Sequence, residues 1–212
     1  MSVERLLEGN KRFVSDVFKD GSDFTYCLQG QSPHTLVIAC ADSRVPPELI
    51  LGANPGDIFI HRNIGNMVPP GDWNLATVME YAVRHLGVTT VAVLGHGCCG
   101  AIKAIANNHG SERMASDGFF SYVGSKSDDV FIPGWVINGE QAYETLSERM
   151  PYPSEEAAQV EWLCELEKEN IRLQVKNLRN YPIIRAALAD RRISVAGLYY
   201  DMATGVVSQV AG

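Results

Sequence analysis

The sequence predicts an α/β fold: a mainly parallel central sheet flanked by helices, closed by an antiparallel C-terminal edge hairpin. Three observations predict it. Short strand patterns recur at 35–39, 57–62 and 89–95, the first as a continuous apolar run of the kind that suits a strand covered on both faces. Helical patterns intervene between strands, as parallel pairing requires. The chain then ends in "RISVAGLYYDMATGVVSQV", two strand patterns around the turn residues "DMATG".

Each element has its own warrant. Leu6, Leu7, Val14, Val17 and Phe18 give residues 3–18 a rough helical stripe, and a polar loop, "KDGSDFTYCLQGQSP", follows. "TLVIA", "DIFIHR" and "TTVAVLG" are the three strands. Between the last two, Leu75, Val78, Met79, Ala82 and Leu86 recur at helical spacing, with Asp72 or Asn74 as the cap. "CGAIKAIANN" opens another helix. Residues 110–155 are rich in Gly, Ser, Asp and Pro with weak periodicity, and read as an excursion with short helices within one domain spanning 1–212. Helix resumes over about 155–179, with Val160, Leu163, Ile171, Val175 and Leu178 on one side, and a shorter helix covers 183–189.

Composition narrows the function classes. The chain has 212 residues, 46% hydrophobic and 20% charged, the balance of an ordinary globular protein. A net charge of -7 argues against a nucleic-acid partner. No apolar run is long enough to span a membrane, and "MSVERLLEGNKRFV" lacks the apolar centre of a secretory leader, so the expected compartment is the cytoplasm. Five cysteines, an odd number in a chain of this kind, argue against a disulfide framework. Cys27 and Cys164 read as small buried hydrophobes.

The remaining cysteines carry the chemistry. In "VIACADSRVPPEL", Cys40, Asp42 and Arg44 sit at alternate positions after a buried strand, and "GHGCCG" follows another strand with His96, Cys98 and Cys99. Ligands in open parallel sheets bind beyond the carboxyl ends of the strands, where both motifs fall. Two thiolates and one imidazole suit Zn²⁺. Three protein ligands with one open position describe a catalytic zinc rather than a structural one. A helix starting near Cys99 would favour its thiolate. Either Cys98 or Cys99 could be the second sulfur; the other would pack under the turn. Asp42 could accept a hydrogen bond beside the metal or bind the metal itself, and Arg44 could hold it by a two-point pair.

Taken together, these motifs resemble the β-class carbonic anhydrases of the plant-like subtype. "LLEGNKRFV", "CADSR", "FIHRNIGNMVPP", "MEYAVRHLGV", "GHGCCGA", "ENIRLQVKNLRNYPIIRAAL" and "GLYYDMATGVV" each resemble a segment of that family. The resemblance implies zinc ligands Cys40, His96 and Cys99, and a catalytic Asp42–Arg44 dyad. It implies that Gln31 binds substrate and that Phe59, Ile64 and Tyr81 line a CO₂ pocket at a dimer interface, some of them serving the partner's zinc. The N-terminal helix would pack on that partner, in a homodimer or a tetramer of dimers. The implied reaction is reversible hydration of CO₂ to bicarbonate and a proton, by attack of zinc-bound hydroxide on CO₂. His61 and His85 are candidate proton shuttles. The sequence departs from the family at Ala41, where Ser is common, at His61, where an apolar residue is usual, and at Cys98, a variable position.

Three other readings fit parts of the pattern. The same scaffold could hydrolyse CS₂ or COS, with 110–155 controlling access. A weakly active or non-catalytic zinc- or bicarbonate-binding homologue would be expected to lack Asp42, Arg44 or a ligand, and all are present. A redox module on Cys98–Cys99 lacks a CxxC motif, and adjacent cysteines strain a disulfide.

Overall fold

The structure is a computed structural model and describes residues 2–108 and 131–212. These fall into two compact units, residues up to Ser32 and Pro33–Gly212. In the first, helix α1 (Val3–Phe13) starts at Ser2, whose side chain accepts from the Arg5 amide, and runs on into a π turn over Val14–Phe18. A 3₁₀ helix follows over Ser22–Gln29, where the sequence reads as a polar loop. None of the apolar stripe of α1 is buried, and Leu6 and Leu7 are both more than half exposed.

The second unit holds a five-stranded sheet. Its strands are β1 (Thr35–Cys40), β2 (Ile58–Asn63), β3 (Thr90–His96), β4 (Ser194–Tyr200) and β5 (Val207–Ala211). Their spatial order is β2-β1-β3-β4-β5. The pairs β1–β2, β1–β3 and β3–β4 are parallel, and β4–β5 is the antiparallel edge hairpin that the sequence predicts.

Helices fill the crossovers. A four-residue helix α2 (Pro47–Ile50) follows β1, and α3 (Trp73–Glu80) runs on into a π turn through Leu86. Asp72 is the α3 cap: its carboxylate accepts the Leu75 amide at 2.9 Å. Helix α4 (Gly100–Asn108) follows β3. Of the excursion expected over 110–155, positions 110–130 lie outside the described residues. The remainder holds α5 (Ile132–Val136) and α6 (Glu140–Arg149). Helices α7 (Glu156–Asn180) and α8 (Pro182–Ala189) lead into β4.

Strand parity sorts the core. Leu36 and Ile38 face a cluster with Val91, Val93, Ile171, Val175 and Leu178, whereas Val37 and Ala39 pack on the opposite face with Leu94 and Val45. Helix α7 lies close against the first face. A Cβ on Gly197 of β4 would stand 2.7 Å from Ile171, so glycine is what lets the helix approach. Trp162 and Leu166 of α7 close a further cluster that includes Cys40 and Cys99.

Four side chains differ from expectation. Val160, placed on the inner side of α7 by its spacing, is 64% exposed because the buried residues of that helix begin only at Trp162. Cys27 is exposed and Cys164 is only half-buried, so neither is the core residue expected. Cys98 is exposed rather than packed beneath its turn: its φ of 58° turns the backbone between β3 and α4.

Candidate metal centre

Cys40 and His96 are the last residues of β1 and β3, two strands that are neighbours in the sheet. The parallel ladder therefore delivers a thiol and an imidazole to the same edge. Cys99 arrives from the turn that leads into α4. One donor atom from each of the three residues lies within 4.8 Å of the others, and all three residues are buried. The structure thus brings together the Cys–His–Cys set that the sequence singles out, with Cys99 rather than Cys98 as the second sulfur.

The surroundings prepare each donor. His96 Nδ1 lies 2.8 Å from the Gly97 carbonyl, which can only accept, so the ring proton sits there and Nε2 carries the lone pair. Among the described residues, that Nε2 is buried without a hydrogen-bond partner. A buried polar atom left without a partner is costly unless something binds it. Cys40 Sγ accepts the Gly65 amide at 3.4 Å. Gly65 has φ 79°, and a Cβ there would stand 2.9 Å from Met67 and 3.0 Å from Ala101. Two soft sulfur donors with one free imidazole nitrogen fit Zn²⁺ by chemistry.

The two thiols are in contact and shift in opposite directions. The Cys99 thiol beside Cys40 draws the Cys40 thiol down, against the opposing effect of burial. The same sulfur–sulfur contact, with burial, pushes the Cys99 thiol up. The helix-start amides of Ala101 and Ile102 pull Cys99 down, as its place before α4 suggests, but they are outweighed. Burial alone would lower His96; the Cys40 sulfur, the Gly97 carbonyl and Asp42 together raise it.

Asp42 borders this group. Its Oδ2 is 3.9 Å from His96 Nε2, and Arg44 grips both its oxygens. That grip, chiefly the side-chain hydrogen bond, holds the Asp42 carboxyl well below the usual carboxylate range.

Phe59 and Tyr81 sit apart from this group. The rings of Phe59 and Tyr81 stack at 5.9 Å, and Tyr81 in turn stacks on His85 at 5.4 Å. Phe59 lies four residues before Asn63, the register partner of Cys40, and so roughly 13 Å back along the strand. Ile64 is half exposed and borders an apolar cavity of about 230 Å³ with Phe131, Ile132, Gly134 and Trp135. His61 is half-buried, and burial lowers its pKa. Gln31 lies in the N-terminal unit and is exposed.

Several residues at the site are absent from the sequence reading. Arg62 donates from Nε to the Cys40 carbonyl at 2.9 Å and from Nη2 to the Asp42 carbonyl at 2.6 Å, bracing the "CAD" backbone. Glu167 accepts the Cys99 amide at 2.8 Å and the Tyr199 hydroxyl at 3.0 Å. Its burial raises its pKa, opposed by those two donors. The available signal was a glutamate one turn before Ile171 on the apolar side of α7. Trp135 and Asn170 hold the turn at Ile64 and Gly65.

A mainly parallel sheet carrying a buried Cys–His–Cys group at its strand ends defines an α/β protein with a group that could hold a metal at the sheet's edge. A family model described as carbonic anhydrase matches residues 35–207. A carbonic anhydrase of Pseudomonas aeruginosa is 32% identical over 98% of this chain and 87% of its own. Beta carbonic anhydrase 3 of Arabidopsis thaliana is 31% identical over 96% of this chain and 75% of its own. Among solved structures, a tetrameric β-carbonic anhydrase of Sordaria macrospora matches with TM-score 0.79 and 30% identity, covering 97% of this chain and 95% of that one. The Coccomyxa enzyme in complex with acetazolamide matches with TM-score 0.81 and 29% identity, covering 98% and 86%. The chain belongs to the carbonic anhydrase family, a family of zinc lyases, and to its β class. Among the described residues no helix is long and apolar enough to cross a membrane.

Proposed function

We propose that this chain hydrates CO₂ reversibly to bicarbonate and a proton, with Zn²⁺ held by Cys40, His96 and Cys99. The observation that carries this reading is the convergence of those three donors within 4.8 Å beside Asp42. The metal would supply a Lewis acid that makes a nucleophile of water near neutral pH, a role for which carbonic anhydrase is itself the standard example.

The protein's own residues do the rest. Arg44 keeps Asp42 ionised, so its oxygen facing His96 acts only as an acceptor. Asp42 accepts a hydrogen bond from the nucleophile and aims its lone pair at the carbon of CO₂. Phe59, Ile64 and Tyr81 form the apolar lining that favours an uncharged linear substrate over water. The separation of Phe59 and Tyr81 from their own Cys40 supports a role at a partner's site, across a homodimer interface or in a tetramer of dimers. The exposed stripe of α1 is a second surface for that partner. Gln31 donates to an oxygen of the forming bicarbonate. The released proton passes to buffer, with His61 and His85 as candidate carriers. The chain acts as one catalytic domain, in the cytoplasm.

Cys40→Ser tests the ligand set. The variant is expected to retain well under one zinc per chain and to lose hydration. Full zinc and full rate in that variant would sink the assignment.

A further inference from the structure

We infer that Trp135 is a positioning residue for the metal centre, acting through the peptide plane that joins Ile64 to Gly65. This rests on the reading of Cys40 as a metal ligand. The argument is geometric. The Gly65 amide donates to Cys40 Sγ at 3.4 Å, and the carbonyl at the other end of the same peptide plane, Ile64 O, accepts the Trp135 indole N–H at 2.7 Å. A peptide unit is planar and trans, so its carbonyl and its N–H point in opposite directions and turn together. Fixing the oxygen therefore fixes the direction of the hydrogen that reaches the sulfur.

The plane needs fixing. Gly65, with φ 79°, has no side chain to restrict it, and Ile64 on the other side is half exposed. Asn170 Nδ2 holds the next carbonyl, Gly65 O, at 3.2 Å, and Gln174 Nε2 holds Asn170 Oδ1 at 2.8 Å. The plane between Ile64 and Gly65 is thus gripped from helix α5 and the plane after it from α7. A hydrogen bond to a ligating thiolate draws charge from the sulfur and sets its lone-pair direction. Such outer contacts are commonly worth 10- to 100-fold in metal affinity or activity. Trp135 lies in the stretch that reads, by sequence, only as an excursion.

The test replaces zinc by Co²⁺ in the full chain. It records the sulfur-to-cobalt charge-transfer band and the rate of metal release to a chelator for the wild type, Trp135→Phe and Ile132→Ala. Trp135→Phe keeps a ring but removes the N–H. The band is expected to move to longer wavelength, because a thiolate with a weakened hydrogen bond gives up charge more easily, and metal release to quicken about tenfold. Ile132→Ala, which alters the same cavity without touching that bond, is expected to leave the band in place. A Trp135→Phe band and rate equal to the wild type would overturn the inference, and so would an equal shift in both variants. Should Trp135→Phe not fold, benzothienylalanine at position 135 removes the N–H at constant shape and is read in the same way. A wild-type protein that binds Co²⁺ with no sulfur band removes the ligand reading itself, and the inference with it.

Discussion

Arg44 holds Asp42 at two points, Nε to Oδ1 at 2.9 Å and Nη2 to Oδ2 at 2.7 Å, and the same Nη2 reaches the Cys98 carbonyl at 3.1 Å. One guanidinium thereby ties the loop after β1 to the turn after β3. The carboxylate cannot swing without breaking a planar two-point contact.

Asp42→Asn keeps the shape of this side chain and removes its charge and half its acceptor capacity. CO₂ hydration is expected to fall by roughly 100-fold, the lower range for losing a positioned proton acceptor, with zinc content unchanged. Stopped-flow hydration with metal analysis on the same sample reads both. An unchanged rate would remove Asp42 from the mechanism.

Glu167 anchors Cys99 by its backbone, from 68 residues further along the chain. Glu167→Gln replaces a charge-assisted acceptor by a weaker neutral one and leaves an amide N–H facing the Tyr199 hydroxyl. Zinc release to a chelator is expected to quicken about tenfold, while the helical circular dichroism is retained. A release rate equal to the wild type would make Glu167 a packing residue only.

If Phe59 and Tyr81 serve a partner's site, two inactive variants can rescue each other. Cys40→Ser lacks a ligand, and Phe59→Ala with Tyr81→Ala lacks the lining. Mixed dimers carry one site with both parts intact. Mixing after partial unfolding and refolding is expected to restore hydration to roughly a quarter of the wild-type rate per chain, with half the dimers mixed and one good site in each. No recovery, in a sample where mixed dimers are demonstrated, would place the lining in the same chain as its zinc.

Gly197→Ala places a methyl 2.7 Å from Ile171 and 3.0 Å from the Ala211 side chain, in a core with no slack. Destabilisation of about 1–3 kcal/mol is expected, lowering the melting temperature by several degrees. Thermal unfolding of the zinc-loaded protein measures it. No change would mean that α7 can move away from β4 at little cost.

Much of this site was legible because it depends on local pattern. Apolar runs ending in Cys40 and His96 marked two strand ends, and parallel topology does the converging. The ladder that pairs Leu94 with Ala39 leaves little freedom about where those ends meet. What the sequence does not disclose is held by contacts between distant residues. Trp135 reaches Ile64 across 71 positions and Asn170 reaches Gly65 across 105, and neither has a local motif. The exposed Cys98 follows from a left-handed turn, which a residue pair such as Cys98–Cys99 does not announce. The stripe on α1 was legible as amphipathic, and none of that helix's residues is buried among the described residues.

The most direct measurement is stopped-flow CO₂ hydration between about pH 6.5 and 9 on protein of determined zinc content. Rapid hydration with about one zinc per chain, lost when the metal is removed and regained when it is restored, is the expected result. Full zinc with no hydration at any pH in that range, or hydration that persists without zinc, would contradict the proposed function.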